Sequence, residues 1–359
     1  MKKVVLFFAL AVGLLTSAST AMAQTVNMSR YITLTVKKDS AIRLDLKVAA
    51  TNTPVRIVSG SNTQDITVNT SWYNGNWPST YTVTADASTM TVYGDLMVFD
   101  CSKNGTNLTA LDLSENTLLK DLSCLYNKLT TLDVSQNTQL TELDCSDNKL
   151  SSLDISKNTL LDKLYCIGNN LSSLDVSNNT QLKRLYCFAN YLTSLNVSNT
   201  QLELLYCYNN NFSSQALDDI YCALPDRTGT TYGKIQPIFN SSSSNHATVL
   251  ATNAANATAK NWKVQYFKDD TDIPATTGSY VCPTTDIAEA SAEQALTLYP
   301  NPVADVLYLS STARTIRVYN IDGIEVAHAT DTDRIDVASL PAGVYTVKAH
   351  GTVAKMVKR

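Results

Sequence analysis

Cysteine offers the widest choice of chemistry in this chain, as nucleophile, metal ligand or disulfide partner. Six of its eight cysteines, Cys101, Cys124, Cys145, Cys166, Cys187 and Cys207, are separated by 23, 21, 21, 21 and 20 residues. No C-x-x-C pair is present to begin a zinc site. A near-constant interval is instead a repeat period. Cysteine packs as a small apolar side chain. In-register neighbours on stacked strands have parallel Cβ vectors, a poor geometry for bridging. The column therefore predicts buried free thiols, in preference to disulfides or zinc. Cys222 and Cys282 lie outside it, and either pair with one another or stay unpaired.

No other constellation suggests catalysis. The chain has three histidines, His246, His328 and His350, and no H-E-x-x-H, G-x-S-x-G or P-loop motif. The Ser241–Ser244 run has no placed base. We therefore expect no catalytic residue, no metal site, no cofactor and no enzyme activity. Charged residues are 17% of the chain and the formal net charge is −4, which argues against a nucleic-acid partner.

The elements that hold the cysteines can be read from the repeat. One unit runs Leu140-x-x-Leu143-x-Cys145-x-x-Asn148-x-Leu150, then Leu153-x-Ile155-x-x-Asn158, and the next repeats it from Leu161 to Asn179. Leu143 and Cys145 alternate across a short strand and point inward. Asn148 sits at a buried bend, where its amide can satisfy backbone groups that an apolar residue would strand. Asp112, Asp133, Asp154 and Asp175, followed by Asn196, form an outer column. There they are expected to accept turn hydrogen bonds rather than to hold a cation. The pattern matches the leucine-rich repeat, and with cysteine in one leucine position it resembles the cysteine-ladder subclass of the internalin family. That resemblance spans 96–212 as six coils of a right-handed solenoid. It implies a surface-exposed binding or adhesion protein.

The flanks differ. Lys2, Lys3, the apolar run Val4–Leu15 and the Ala21-Met22-Ala23 site read as a secretory signal peptide over 1–23. No apolar run in the mature chain is long enough to span a membrane. Residues 24–95 hold short β-rich runs, taken as an N-terminal β-domain or cap. Within it, Trp72 to Trp77 is an aromatic loop, read as packing in preference to sugar stacking. Residues 213–285 alternate strand and helix as an αβ cap, with helices over Ser214–Leu224 and His246–Asn261. A linker over 286–294 follows. From 295 to 359, Leu296-Thr-Leu-Tyr-Pro-Asn-Pro302, Ile316-Arg-Val-Tyr-Asn320, Asp322-Gly323 and Pro341-Ala-Gly-Val-Tyr345 mark β-runs and turns. This array resembles the C-terminal sorting domain of the type IX secretion system, the Por secretion tail. The resemblance implies contact with the secretion machinery and export to the outer surface. The whole is a mostly β chain with some α, closed by an Ig-like β-sandwich.

Side chains flanking the inward Leu and Cys face the concave side. Early coils place Asp100, Ser102, Asp121, Ser123, Glu142, Asp144 and Ser146 there. Late coils place Lys163, Tyr165, Ile167, Arg184, Tyr186, Phe188, Leu204, Tyr206 and Tyr208 there. The ligand-binding residues are expected to be Tyr165, Ile167, Arg184, Tyr186, Phe188, Tyr206 and Tyr208, since Tyr and Arg favour interface hot spots. The partner would be a protein on a host or neighbouring cell. The alternative is a glycan held on the same aromatic face.

Overall fold

The computed structural model describes residues 25–69, 80–283, 298–320, 324–349 and 352–359. The expected signal peptide, the Trp72 to Trp77 segment, the expected 286–294 linker and Asp322-Gly323 fall outside them. The chain divides into two compact units, one ending at Cys282 and one beginning at Pro283.

The first unit starts with alternating strands. In β1 (Tyr31–Val36), Ile32, Leu34 and Val36 are buried and the residues between them are not, the period of a strand with one face on a core. β2 (Ala41–Val48), β3 (Thr53–Ser59), β4 (Asn62–Val68), β5 (Thr80–Thr84), β6 (Thr89–Tyr93), β7 (Leu96–Asp100) and β8 (Leu108–Asp112) follow. A five-stranded sheet runs β4-β3-β6-β1-β8. The others, β5, β2 and β7, begin a second sheet, whose core is continuous with the first.

At β7 that second sheet changes from antiparallel to parallel. β7 pairs antiparallel with β2 and parallel with β9 (Asp121–Ser123). After it come β10 (Glu142–Asp144), β11 (Lys163–Tyr165), β12 (Arg184–Tyr186) and β13 (Leu204–Tyr206), each parallel to the one before and in register. Leu122, Leu143, Leu164, Leu185 and Leu205 point inward and are fully buried, as are all six column cysteines, which are free thiols. Burial pushes their ionisation up, well above the usual thiol range for Cys124, Cys145 and Cys166. They pack as core and are poor nucleophiles.

Each coil then bends, and one asparagine holds the bend. Asn148 accepts from the Leu129 N–H at 3.0 Å, and its amide nitrogen donates to the carbonyls of Cys124, Cys145 and Ser146 at 2.9, 3.1 and 3.1 Å. Asn169, Asn190 and Asn210 do the same in their own coils, and Asn127 accepts from the Asn104 N–H and donates to the carbonyls of Cys101 and Cys124. The residue before each of them turns left-handed: Tyr126, Asp147, Gly168, Ala189 and Asn209 have φ between 52° and 61°. Only one of these is glycine. A Cβ on Gly168 would lie 2.6 Å from an Asp147 carboxylate oxygen, so a side chain there would push the Asp147 carboxylate aside. The outer aspartates cap turns: Asp133, Asp154 and Asp175 each accept from the backbone N–H of the serine two residues on, at 2.9 Å. That bond holds their carboxyls below the usual range.

The sheet is extended by α1 (Ser214–Ala223), β14 (Gly233–Ile238), α2 (His246–Leu250), α3 (Ala255–Thr258) and β15 (Trp262–Tyr266), with β14 and β15 as its last parallel strands. The N-cap of α1 is Ser213, whose hydroxyl accepts from the Ala216 N–H. One helix over His246–Asn261 was expected, and two short ones form. The chain breaks between them because Thr252 bonds back to the Val249 carbonyl and the Asn253 N–H is taken by Asp218. A Cys222–Cys282 disulfide ties the end of this unit to α1.

The second unit is antiparallel. β16 (Leu298–Tyr299), β17 (Val306–Tyr319), β18 (Glu325–Asp336), β19 (Gly343–Ala349) and β20 (Thr352–Lys358) form one hydrogen-bonded sheet. Its long β17–β18 pair shifts register between Tyr308 and Ala313. A separate core includes Val303, Leu307, Ile316, Val318, Ile335, Val347 and Met356.

The asparagine bonds and the thiol column predict different mutational costs. Asn148→Ala leaves several buried backbone groups unpaired and should cost roughly 1–3 kcal/mol. Cys145→Ala leaves a small cavity, worth on the order of 1 kcal/mol. Chemical denaturation of both variants should rank them in that order.

Candidate binding surface

The parallel register lines up the outward side chains of successive coils. One column runs Val98, Asp121, Glu142, Lys163, Arg184, Leu204, Lys234; the next runs Asp100, Ser123, Asp144, Tyr165, Tyr186, Tyr206, Gln236. The second column changes from acid to aromatic at β11. Neighbours in such a column stand about 4.8 Å apart, close enough for rings to touch.

The rings do touch. Tyr165 and Tyr186 stack at 4.5 Å between centroids, and Tyr186 meets Tyr206 edge-on at 4.9 Å. In the column beside them Phe188 stacks on Tyr208 at 4.3 Å. The array continues where the repeat ends. Phe267 lies 4.6 Å from Tyr208 and 5.4 Å from Tyr206, and Phe239 lies 5.7 Å from Tyr208. Seven rings form one connected array. Phe239 and Phe267 were not expected in it. They follow cap strands that have no repeat spacing, so only the alignment of those strands with the ladder reveals them.

Tyr165, Ile167, Tyr186, Phe188 and Tyr206 are half-buried and Arg184 is exposed. Tyr208 requires a correction: only 4% of it is exposed, because Phe188, Phe239 and Phe267 pack around its ring. It supports the aromatic surface from below. Burial pushes the hydroxyls of Tyr165 and Tyr208 up to about 12, so they stay neutral donors. On the early coils, Asp100, Ser102 and Ser146 are buried rather than presented. Ser102 shares a hydrogen bond with Ser123 at 2.8 Å, and Asp100 and Asp144 accept from the backbone of Ser102 and Ser146. Asp121, Ser123, Glu142 and Asp144 remain half-exposed.

The electrostatics follow this division. Glu142 and Lys163 form an ion pair at 2.7 Å. Asp121 has no such partner among the described residues, and its pKa rises to about 6, first through burial and then through repulsion by Glu142 and Asp100. Burial also raises Asp144. At the other end Lys234 is paired with Asp270 at 2.9 Å. Among the described residues, no group of three or more His, Cys, Asp or Glu is arranged to hold a metal. The surface offers aromatic contact, hydrogen bonding and charge.

Residues 297–359 match the family model described as the secretion system C-terminal sorting domain. The chain carries a type IX sorting domain and is a secreted or cell-surface protein. No helix among the described residues is long and apolar enough to cross a membrane. No curated relative matches the chain. It is similar to the functional domain of InlJ from Listeria monocytogenes, described as including a cysteine ladder, at 21% identity and a TM-score of 0.32. That alignment covers 74% of this chain and 62% of the other, less than two thirds of it. A further similarity is to CBM51-2 and INT domains of ZmpB from Clostridium perfringens, solved with GlcNAc, at 9% identity and a TM-score of 0.12, over 92% of this chain and 70% of that one. Such scores do not establish a shared fold.

The raised Asp121 carboxyl carries a sign. The folded chain holds this proton up to about pH 6, whereas the ordinary value is 3.8. Stability is therefore gained at low pH and lost as pH rises from about 4 to about 6. Asp121→Asn should raise the unfolding free energy at pH 8 by about 1 kcal/mol after solvent screening. It should do little at pH 3. Denaturation curves at the two pH values check this.

Proposed function

We propose that this chain is a surface-displayed leucine-rich repeat solenoid that binds a protein on a host or neighbouring cell through the aromatic half of its concave face. In this reading residues 24–95 cap one end, 96–212 form the coils and 213–285 cap the other end. Residues 286–294 form the linker. Residues 295–359 form an Ig-like sandwich and serve export alone. Adhesion then needs no catalytic group, metal or cofactor.

The observation that carries the reading is the connected ring surface from Tyr165 to Phe239. Aromatic side chains on a rigid sheet lose little conformational entropy when they bind, and Tyr and Arg dominate interface hot spots. Arg184 beside the tyrosines can add a charged, two-pronged hydrogen bond. The ring geometry favours protein over glycan. Sugar stacking needs an open ring face, yet Tyr165 and Tyr186, like Phe188 and Tyr208, lie face to face with interplanar angles of 16° and 13°.

A host-protein pull-down run beside a glycan array should identify a protein. Against it, Tyr186→Ala with Phe188→Ala should weaken binding by about 2 kcal/mol or more, measured by calorimetry. Unchanged affinity would move the site elsewhere.

Deleting residues 286–359 should strand the chain in the periplasm, detected by cell fractionation and surface labelling. Surface display of the truncated chain would contradict an export role for that unit.

A further inference from the structure

The charged column on the concave face reads Asp121, Glu142, Lys163, Arg184 on four consecutive rungs. The two inner residues neutralise each other at 2.7 Å. The two outer ones, a carboxylate and a guanidinium, have no ion-pair partner among the described residues. A second feature marks the acidic end as undercompensated. Asp45 stands opposite Asp100 in register and is fully buried. One of its oxygens is bonded to Arg43, while the other, Oδ1, has no hydrogen-bond partner. Asp45 is paired with Arg43, so it is Asp100, Asp121 and Asp144 that bring negative charge to one end of the face.

Three rung spacings separate Asp121 from Arg184, about 14 Å at the usual strand separation. An extended polypeptide advances roughly 3.4 Å per residue, and its residues i, i+2 and i+4 share one face. Positions i and i+4 therefore span the same distance and both look toward the sheet. From these matches we infer that the concave face takes an extended polypeptide segment with a basic and an acidic side chain four residues apart, the basic one over Asp121 and the acidic one on Arg184. The middle residue, i+2, crosses the neutral Glu142–Lys163 pair and can be small or polar. The residue at i+6 arrives over Leu204 and Tyr206 and should be apolar. This inference rests on the concave face being the binding surface, and adds to it a partner chemistry and a spacing.

The test uses the full-length mature chain and fluorescein-labelled eleven-residue synthetic peptides rich in Thr and Val. Each carries one Lys and one Glu at separations of two, three, four or six residues, in both orders. Fluorescence anisotropy at low salt reads the affinity. The peptides with a separation of four should bind at least fivefold tighter than the others. That preference should fall below twofold in Asp121→Asn and in Arg184→Gln. Equal affinity at all separations, a preference that survives both substitutions, or no binding by any peptide overturns the inference. The Tyr186→Ala/Phe188→Ala variant separates the two readings. If it abolishes binding of every peptide while spacing makes no difference, the face stands and the charge register falls. If it changes nothing while the spacing preference persists, the aromatic reading falls instead.

Discussion

Every coil of this chain must carry peptide groups around a bend buried against the next coil, and buried N–H and C=O groups without partners are costly. The asparagine at this bend, joined by a second buried asparagine later in the coil such as Asn137 or Asn158, lowers that cost. Its amide accepts from the preceding coil and donates both to that coil and to its own, as Asn148 does between Leu129, Cys124 and Cys145. The bond therefore shapes the turn and also fixes the offset of one coil on another. Strand register, inward leucines and outward columns all depend on that offset. A one-residue slip would turn every outward side chain into the core.

Fixed register makes chemistry additive along the ladder. Inward, it stacks leucines and cysteines into a continuous core whose thiols are too deeply buried to ionise readily. Outward, it turns isolated residues into columns. A tyrosine at one position of three coils becomes a ring stack, and four charges in a row become an inner ion pair with, among the described residues, an unpaired charge at either end. None of the side chains is unusual by itself; the spacing of the strands makes them a surface.

The ends of the ladder need other means. At the N-terminal side the sheet changes direction at β7, so antiparallel strands cover the first coil. At the far side α1, β14 and β15 continue the sheet with longer crossovers. Two residues that directly follow β14 and β15, Phe239 and Phe267, close over Tyr208 and lengthen the aromatic surface. The Cys222–Cys282 bond holds the last segment of the unit against α1.

Periodicity made much of this legible in the sequence alone. The recurrence of Leu143, Cys145 and Asn148 every 21 residues or so assigned inward and outward positions, because a strand alternates its side chains and a repeat must stack. The Tyr-Pro-Asn-Pro and Pro-Ala-Gly-Val-Tyr motifs pointed to the sorting domain through resemblance. Single-copy features were not legible in that way. Nothing in the spacing showed that Tyr208 would be covered, that Asp100 would be buried beside Asp45, or that a helix over His246–Asn261 would break at Asn253. Each depends on a segment far away in the chain: Phe267 packs on Tyr208, β2 pairs with β7, and Asp218 takes the Asn253 N–H. A repeat encodes its own neighbours, since the next coil carries the same sequence. A cap meets residues unlike itself, and which ones it meets is decided only when the chain has folded.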